Sequence, residues 1–456
     1  MYFIKTSAIR IPTSFSDQEW FKSIVKDLTR MERDYYNPEV MVSKTFYDTR
    51  DGHLMIPRNY DIYKHNHDIL DLNKEGESIS INFKSNFKND LQKNAHEFLL
   101  NNMNGVLCMQ PGEGKTVIAI AAICTLKKKT IIFVHKDSLA VQWKERFLQH
   151  SDIKEEDIGM LKTEEHLEVL KKPIVISTVQ TLCSMIRRLP NIEKVLHDAN
   201  FGISFWDECH TSVSAEMFSL SSLYLPVKRS YGLSATPTRS DGNTDIIDKH
   251  VGKTFIPDGS GQTLTPRIII LKFDHGVLCN HRNYVFNDFI TGEKKFSRDR
   301  YLKMLTSKKN LKYVSVMRKI CKYIYSSQRI TLFLADRIKV LDECSKVIPK
   351  NDVGFFIPRS GKNRDTDLLK KFVFSTYGSA RDGTDRPQLD CLVMGTPVSN
   401  LAQCCGRVLR PYPGKKQPVI FDTVDTGCSQ MVRLSEEREL FYRKKEWSVE
   451  VQNISK

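Results

Sequence analysis

Between residues 109 and 116 the chain reads Met109-Gln110-Pro111-Gly112-Glu113-Gly114-Lys115-Thr116. A short apolar run at residues 106–109 leads into this segment, and a longer one at residues 116–126 leaves it. The two runs have the lengths of a buried strand and a helix. A glycine-rich turn between a strand and a helix is a setting in which backbone N–H groups bind phosphate, because the helix N-terminus favours negative charge.

Each residue type in this turn has a predicted role. Gly112 and Gly114 let the backbone approach a phosphate, Lys115 contacts the β- and γ-phosphates of a nucleotide, and Thr116 ligates Mg²⁺. Met109 stands where the full pattern has its first glycine. The alternative is a chance glycine-rich turn, but the flanking strand and helix favour a phosphate loop.

Short apolar segments alternate with helical stretches downstream of this loop. The segments lie at residues 130–134, 173–177 and 203–206, and they resume at 268–273, 330–334, 391–394 and 418–421. Such alternation predicts an α/β fold in which helices cover both faces of parallel sheets. Gly, Ser and Pro cluster at residues 257–261, which is typical of a linker.

An acidic pair follows the predicted strand at residues 203–206. It opens the sequence Asp207-Glu208-Cys209-His210. At the carboxyl end of a strand, Asp207 is suited to hold Mg²⁺, and Glu208 to orient and deprotonate an attacking water. Charged residues also occur at strand ends simply because those ends are solvated. The pair indicates a Mg²⁺-nucleotide site only in combination with Lys115 upstream.

A third motif, Leu233-Ser234-Ala235-Thr236-Pro237-Thr238-Arg239, follows another short strand. Its Ser234 and Thr236 are candidates to link the Mg²⁺ edge of the sheet to a nucleic-acid track. Standing alone, such a turn would carry no functional meaning.

The fourth motif, Gln403-Cys404-Cys405-Gly406-Arg407-Val408-Leu409-Arg410, lies in the second half of the chain. Arg407 and Arg410 are three positions apart, which predicts that they share one helix face. Two arginines presented together are suited to reach a γ-phosphate across a cleft and to stabilise transition-state charge. The alternative is a solvated or carboxylate-paired basic helix.

These four motifs occur in the order found in superfamily 2 DExH-box helicases, and over about residues 86–425 the chain resembles that family. The pair Gln142-Trp143, the Ser-Ala-Thr-Pro-Thr-Arg form and the compact size resemble its XPB/UvsW-like branch, whose phage members remodel branched DNA. The resemblance implies two tandem RecA-like parallel-sheet lobes that close on one ATP with Mg²⁺.

The resemblance also implies roles for residues outside the four motifs. Gln92 matches an adenine-reading glutamine. The other residues implied to bind the nucleotide are Gly383, Asp385 and Gln403. The residues implied to face a nucleic-acid strand are Thr178, Gln180, Arg337, Thr376 and Arg381.

We predict three domains. Residues 1–85 form a small N-terminal α+β accessory domain that binds DNA, 86–258 form the first, ATP-binding lobe, and 265–456 form the second lobe with a C-terminal helix. Residues 53–58 read as a short strand ended by a proline.

The chain is strongly basic, with 69 Lys and Arg against 54 Asp and Glu and a formal net charge of +15. This charge favours a polyanionic partner, because each neutralised phosphate releases a counterion; the alternative is an inert basic surface. The most basic segment, residues 294–329, is interleaved with Tyr301, Tyr313, Tyr323 and Tyr325. Base stacking and a solvated helix face with half-buried tyrosines are equally good interpretations.

Cysteine usage and hydropathy limit the compartment. The 11 cysteines form no Cys-x-x-Cys pair, which disfavours a zinc site or a disulfide framework and favours thiols in a reducing compartment. The most apolar run, residues 117–126, is far shorter than the roughly 20 residues of a membrane span, and residues 1–10 lack a signal-peptide core. We expect an intracellular, cytoplasmic protein, in the host cytoplasm if a phage encodes it.

The leading hypothesis is an ATP-hydrolysing DNA helicase or translocase that acts on single-stranded and branched DNA, including forks and recombination junctions. An RNA helicase, or a duplex translocase that never separates strands, fits the same motifs. A binding module with a dead site is disfavoured because Lys115, Asp207, Glu208 and Arg407 are all present, and a P-loop kinase is disfavoured by the second lobe. We expect a monomeric motor in recombination, repair or replication, with partner proteins from those processes.

Overall fold

The computed structural model describes residues 2–33, 41–62, 68–210, 215–236, 238–239, 242–261, 264–274, 285–287, 294–305, 307, 311–357, 364–383, 386–396, 398 and 402–454. The chain forms two compact units, residues 1–261 and 262–456. The boundary between them follows the segment rich in Gly, Ser and Pro that reads as a linker in the sequence.

The N-terminal part of the first unit is a small mixed sheet with one helix. Its elements are β1 (Tyr2–Lys5), β2 (Ile9–Pro12), α1 (Glu19–Asp27), β3 (Thr29–Arg33), β4 (Met41–Thr45), β5 (Asp48–Arg50), β6 (His53–Ile56) and β7 (Asp68–Asp71). The main sheet has the order β5-β6-β2-β1-β7, and β3 pairs with β4 separately. Only the β1–β7 pair of the main sheet is parallel. Pro57 follows the last residue of β6, as the sequence predicts.

The rest of the first unit is a seven-stranded sheet with helices. Its elements are α2 (Asp90–Asn101), β8 (Asn104–Cys108), α3 (Lys115–Leu126), β9 (Thr130–Val134), α4 (Asp137–His150), β10 (Ile158–Leu161), β11 (Ile174–Thr178), α5 (Val179–Arg188), α6 (Ile192–Asp198), β12 (Ile203–Asp207), α7 (Ala215–Leu223), β13 (Arg229–Ser234), α8 (Thr244–Val251) and β14 (Thr254–Phe255). The strand order is β10-β11-β9-β12-β13-β8-β14, and all pairs are parallel.

The second unit contains a second seven-stranded parallel sheet. Its elements are β15 (Arg267–Phe273), β16 (Val285–Asn287), β17 (Lys294–Phe296), α9 (Arg298–Leu305), α10 (Leu311–Ser326), β18 (Thr331–Leu334), α11 (Ile338–Ser345), β19 (Val353–Phe356), α12 (Arg364–Leu368), β20 (Phe372–Ser375), α13 (Tyr377–Gly383), β21 (Cys391–Met394), α14 (Ala402–Gly406), β22 (Val419–Asp425), α15 (Ser429–Lys444) and β23 (Ser448–Asn453). The order is β19-β20-β18-β21-β22-β15-β23, and β16 and β17 form a separate hairpin.

The two large sheets have the same topology. When the strands of each sheet are numbered from one to seven along the chain, both orders read 3-4-2-5-6-1-7. Every residue of β9 and of β22 is buried, since helices cover both faces of a parallel sheet. The predicted α/β fold with two tandem parallel-sheet lobes and a small N-terminal mixed domain is therefore confirmed.

The N-terminal sheet packs against helices of the first lobe. Ala215 and Ile246 are buried in the same cluster as Phe3 and Ile56 of the small sheet. The Arg10 guanidinium donates to Glu193 over 2.6 Å across this contact. Residues 1–85 thus share a core with the lobe that follows, and their predicted role as a separate DNA-binding domain stays a prediction.

Ten cysteines are described, and all are free thiols; nine of them are buried. Within the described parts of the chain, no helix is both long enough and apolar enough to cross a membrane.

Candidate functional site

Three neighbouring strands of the first large sheet end at the same edge, because parallel strands share one direction. Strands β12, β13 and β8 lie side by side. The residues that follow them belong to the three motifs found in the first half of the sequence. The fold therefore gathers Lys115, Asp207 and Ser234 at one edge of the sheet, where ligands bind in open α/β sheets.

The glycine loop has the backbone that a phosphate site needs. Gly112 and Gly114 have φ angles of +89° and +96°, in the region that favours glycine. A Cβ atom at position 114 would stand 2.4 Å from Nε2 of Gln92, so a larger residue cannot occupy it without displacing that side chain. Gly114 also precedes α3 as an N-cap with no side-chain hydrogen bond, which leaves the cap position without a competing side-chain acceptor.

Lys115 is held in the loop by its own backbone. Its Nζ donates to the carbonyl oxygen of Met109 over 2.7 Å and lies 3.5 Å from that of Gln110. A lysine that rests on neutral carbonyls can move to a phosphate without breaking an ion pair. Thr116 follows in the first turn of α3, on the same side of the sheet.

Gln92 contacts the loop from α2. Its Nε2 donates to the carbonyl oxygen of Glu113 over 2.8 Å, and its Oε1 accepts from the N–H of Lys88 over 2.9 Å. Asn89 caps the helix, since its Oδ1 accepts from the N–H of Gln92. Gln92 thus braces the phosphate loop, and its implied contact with adenine stays a prediction.

Glu113 ties the loop to the end of the first unit. Its Oε2 accepts from the N–H of Gln110 and from Oγ of Ser260, both over 2.7 Å. Its Oε1 accepts from the N–H of Gly261 over 2.9 Å. The sequence does not predict this contact, because the partners lie almost 150 positions apart.

The acidic pair occupies two different environments at the end of β12. Burial and the neighbouring Glu208 carboxylate raise the pKa of Asp207 to about 6. The Trp143 indole opposes this increase, because its Nε1 donates to Oδ2 of Asp207 over 2.9 Å. Glu208 has a φ of +52°, which is uncommon for a residue with a side chain and typical of strained functional positions.

The third motif is joined to the second by backbone contacts. The N–H of Cys209 donates to the carbonyl oxygen of Leu233 over 3.1 Å, and the Arg239 guanidinium donates to that of Cys209 over 3.4 Å. Ser234 Oγ donates to the carbonyl oxygen of Thr236 over 2.8 Å, which holds the turn after β13. The acidic pair and this turn therefore form one continuous surface.

The residues at this edge fit a nucleotide with a divalent cation. Glycines with positive φ and the start of α3 form a cradle for phosphate, and Asp207 and Thr116 offer oxygen ligands beside it. Among the described residues, no three His, Cys, Asp or Glu side chains cluster as an all-protein metal site. A Mg²⁺ bound with nucleotide needs only one or two protein ligands besides the phosphates, so these two residues suffice.

The fourth motif is arranged differently from the prediction. Helix α14 ends at Gly406, so the expectation that Arg407 and Arg410 share one helix face is wrong. The chain instead tightens into a turn in which the N–H of Val408 donates to the carbonyl oxygen of Cys405 over 3.0 Å. Pro411 keeps Arg410 out of a helix, since a proline disfavours helical backbone in the residue before it.

The other residues implied to bind nucleotide from the second unit are only partly described. Gly383 is the last residue of α13, and Gln403 lies in α14, where its side chain is outside the description. Asp385 lies outside the described residues.

Two of the implied nucleic-acid residues play the same part in the two units. Thr178 ends β11 and Thr376 follows β20, which hold the same place in the two sheets. Thr178 Oγ1 accepts from the N–H of Thr181 over 3.1 Å, and Thr376 Oγ1 accepts from that of Ser379 over 3.2 Å. Each threonine therefore begins a helix that points its N-terminus at the carboxyl edge of its sheet.

The serines before these threonines repeat the match. Ser177 Oγ donates to the carbonyl oxygen of Leu161 over 3.1 Å, and Ser375 Oγ donates to that of Phe356 over 2.5 Å. In both cases the acceptor lies at the end of the neighbouring edge strand. The sequence predicts a role for the two threonines, but not for the serines that precede them.

The remaining implied nucleic-acid residues are more varied. Gln180 is exposed, and its Nε2 donates to the carbonyl oxygen of His135 over 3.4 Å. Arg337 forms an ion pair with Asp299 of the basic segment. Arg381 lies in α13, and its side chain is outside the description.

The tyrosines of the basic segment have different surroundings. Tyr301 and Tyr313 are fully buried, and their hydroxyls donate to Asp425 Oδ2 and to the carbonyl oxygen of Gly395. Tyr325 donates to Asp352, whereas Tyr323 is 67% exposed. Base stacking on Tyr301 and Tyr313 is thus excluded, and the interpretation of a helix face with core tyrosines holds for these two.

Comparison with known families and proteins gives consistent matches. Residues 71–239 match the family described as type III restriction enzyme, res subunit. A mimivirus protein from Acanthamoeba polyphaga mimivirus, named as a candidate ATP-dependent RNA helicase, is 26% identical over 77% of this chain and 66% of its own length. The helicase/translocase subunit XPB of the general transcription and DNA repair factor IIH from Schizosaccharomyces pombe is 30% identical over 33% of this chain and 19% of its own length. The chain thus spans less than two thirds of either relative.

Solved structures give matches of lower identity. The type ISP restriction-modification enzyme LlaBIII bound to DNA aligns over 82% of this chain and 31% of its own, at 14% identity and a TM-score of 0.51. T4 UvsW aligns over 100% of this chain and 99% of its own at 16% identity, with a TM-score of 0.39. The first of these scores agrees with the two-sheet fold, and the second is too low to bear on it.

Proposed function

We propose that this chain, a superfamily 2 helicase of the XPB/UvsW-like type, hydrolyses ATP in its first unit and uses the cycle to move along DNA and to unwind or remodel branched DNA. One observation supports ATP hydrolysis. The phosphate loop, the Asp207–Glu208 pair and the Ser234–Thr236 turn lie at the ends of three adjacent strands, at one edge of the sheet.

The chain's own residues divide the chemistry among them. Lys115 leaves the carbonyl of Met109 and neutralises the terminal phosphates, while the N–H groups at the start of α3 bind their oxygens. Thr116 and Asp207 would hold a divalent cation, and we infer Mg²⁺. When bound, the cation supplies charge neutralisation to the phosphates.

Glu208 orients the attacking water and holds its proton on the carboxylate. Its left-handed backbone follows directly on Asp207, the last residue of β12, so the strand ends between the two carboxylates. In this proposal Asp207 serves the cation and Glu208 serves the water. Arg407 and Arg410 complete the proposal as arginines that stabilise charge on the γ-phosphate; their roles rest on the motif alone.

Each unit is proposed to contact nucleic acid at the carboxyl edge of its own sheet. The start of α5 after Thr178, its counterpart after Thr376, and the net charge of +15 favour contact with phosphates rather than bases. Gln180, Arg337 and Arg381 are proposed to flank these contacts. The predicted recombination and replication partners, the monomeric state and the compartment stay predictions.

The names of two relatives favour two other nucleic-acid substrates for the proposed motor. The relative that spans 77% of this chain is named as an RNA helicase, which favours RNA as a second candidate. The XPB relative is named as a helicase/translocase, which favours movement on duplex DNA without strand separation. A DNA motor is the leading proposal because the branch implied by the Gln142-Trp143 pair acts on DNA.

The test is ATP hydrolysis by the purified chain, alone and with single-stranded DNA, duplex DNA, a four-way junction and RNA of matched sequence. Stimulation that is highest with the junction supports remodelling of branched DNA. Equal stimulation by linear duplex, with no strand displacement, supports the translocase. Stimulation by RNA alone replaces DNA with RNA as the track, and absence of hydrolysis in every mixture contradicts the proposed function.

A further inference from the structure

Trp143 lies in the core of the first unit and reaches the acidic pair from a different element. It belongs to α4, is 2% exposed and packs with Ala140, Phe147 and the strand residues around them. Its indole Nε1 donates to Oδ2 of Asp207 over 2.9 Å. A core side chain thus forms a direct hydrogen bond with the residue to which we assign the cation.

We propose that Trp143 is a positioning residue that holds the Asp207 carboxylate in the orientation required to bind the divalent cation. This inference rests on the proposed function, because it needs Asp207 to be a cation ligand. It goes beyond it by assigning a role to a buried side chain of α4, outside the four motifs.

The geometry of the donor suits this role. A carboxylate has about four lone-pair positions, and one indole N–H occupies one of them and leaves others open to a ligand. The indole has two rotatable bonds and sits among buried neighbours, so it stays in place when the site fills. A lysine in its position would neutralise the carboxylate and weaken its attraction for a cation, whereas the uncharged indole orients it without removing its charge.

A second buried tryptophan shows what a purely structural indole does. Trp206 is also 2% exposed, stacks on Phe133 with ring centroids 4.4 Å apart, and donates from Nε1 to the hydroxyl of Ser230 over 3.2 Å. Its hydrogen bond therefore ends on a neutral side chain inside the sheet. The two residues are matched in type, burial and unit, and they differ in whether the indole contacts the acidic pair.

The experiment compares Trp143→Phe with Trp206→Phe in the full chain. Both variants lose a buried indole N–H and keep a ring, so their melting temperatures should fall by similar amounts. The binding of a fluorescent ADP analogue is titrated at increasing Mg²⁺ concentrations, and ATP hydrolysis is measured over the same range. Partners in the outer shell of a metal site contribute about 10- to 100-fold to metal affinity.

In the wild type, Mg²⁺ should increase ADP binding, and the Mg²⁺ concentration that gives half of this increase is the measured quantity. We expect this concentration to be about tenfold higher in Trp143→Phe, the low end of the 10- to 100-fold range. ADP binding without Mg²⁺ should be unchanged, and Trp206→Phe should follow the wild type throughout. In an Asp207→Asn background, adding Trp143→Phe should change nothing further, because the indole acts through the carboxylate.

The positioning role is overturned if the wild type shows Mg²⁺-dependent ADP binding and Trp143→Phe needs no more Mg²⁺ than the wild type. The proposed function is unaffected by that outcome. A wild type without Mg²⁺-dependent nucleotide binding overturns the proposed function itself. If Trp143→Phe does not fold, Trp143→Met, whose flexible side chain fills irregular gaps and carries no N–H or O–H donor, replaces it in the same titration.

Discussion

At the scale of single residues, the proposed site assigns the binding of nucleotide and its hydrolysis to different side chains. Lys115→Ala removes the ammonium that rests on the carbonyl of Met109, so ATP binding and hydrolysis should both be lost. Glu208→Gln removes only the proton acceptor, so ATP should still bind while turnover falls by about 10²–10⁴-fold. Equilibrium binding of a fluorescent ATP analogue and steady-state hydrolysis measure the two effects. Normal turnover in either variant would remove that residue from its assigned role.

His250 predicts how the first unit responds to acid. Burial, followed by the charges of Arg58 and Lys249, lowers the pKa of His250 from 6.5 to about 3. Its Nε2 lies 2.7 Å from Oγ of Ser219 inside the core. The unfolded chain therefore binds a proton between about pH 6.5 and pH 3 that the folded chain excludes, and stability is lost as the pH falls through this window.

Replacing His250 with glutamine should flatten this dependence by up to about 1.4 kcal/mol per pH unit. The free energy of unfolding of the chain, measured by urea titration at several pH values, tests it. His197→Gln, which changes an exposed histidine, is the control. Parallel pH profiles for His250→Gln and the wild type would contradict the prediction.

At the scale of elements, the two threonines that begin α5 and α13 make a paired prediction. Thr178→Ala and Thr376→Ala each remove an N-cap acceptor, which should cost about 1 kcal/mol of stability in each unit. If these helix starts contact nucleic acid, both variants should also weaken binding of single-stranded DNA. Thr178→Ser and Thr376→Ser keep the hydroxyl and serve as controls. Weakened binding in one alanine variant alone would contradict an equivalent role for the two helices.

The elements also show what sequence reasoning could and could not provide. Strands β9, β11 and β12 were predicted because continuous apolar runs mark strands that are buried on both faces. The helix expected through Arg407 and Arg410 is absent because α14 ends at Gly406, and the spacing of the arginines outweighed Pro411, which disfavours helical backbone at Arg410. The contact of Trp143 with Asp207 could not be predicted, since α4 and β12 meet only through the strand order of the sheet, which no local pattern contains.

At the scale of the whole molecule, the two units carry sheets of equal strand order, and each is proposed to contact phosphates of nucleic acid. Contacts with phosphates alone predict strong dependence on salt and little dependence on base sequence. The logarithm of the affinity for single-stranded DNA should fall linearly with the logarithm of salt concentration, by about 0.7 for each phosphate contacted. Fluorescence anisotropy with several base sequences of one length measures both. A large difference between sequences at the same salt concentration would favour contacts with bases.

The fold class followed from the alternation of strands and helices, and the candidate catalytic edge of the first unit followed from three short motifs, because each marks the end of a strand. The position of residues 1–85 did not follow from them. Their contact with helices of the first lobe depends on pairs such as Arg10 with Glu193, which are 183 positions apart and have no local signature.

The carboxylate of Glu113 joins the glycine loop directly to the end of the first unit. One side chain holds both the proposed phosphate loop and the last two residues of the first unit, Ser260 and Gly261. A change in the shape of this loop would strain or release these bonds. Under the proposed function, Glu113 would therefore transmit the binding of nucleotide to the segment at which the first unit ends.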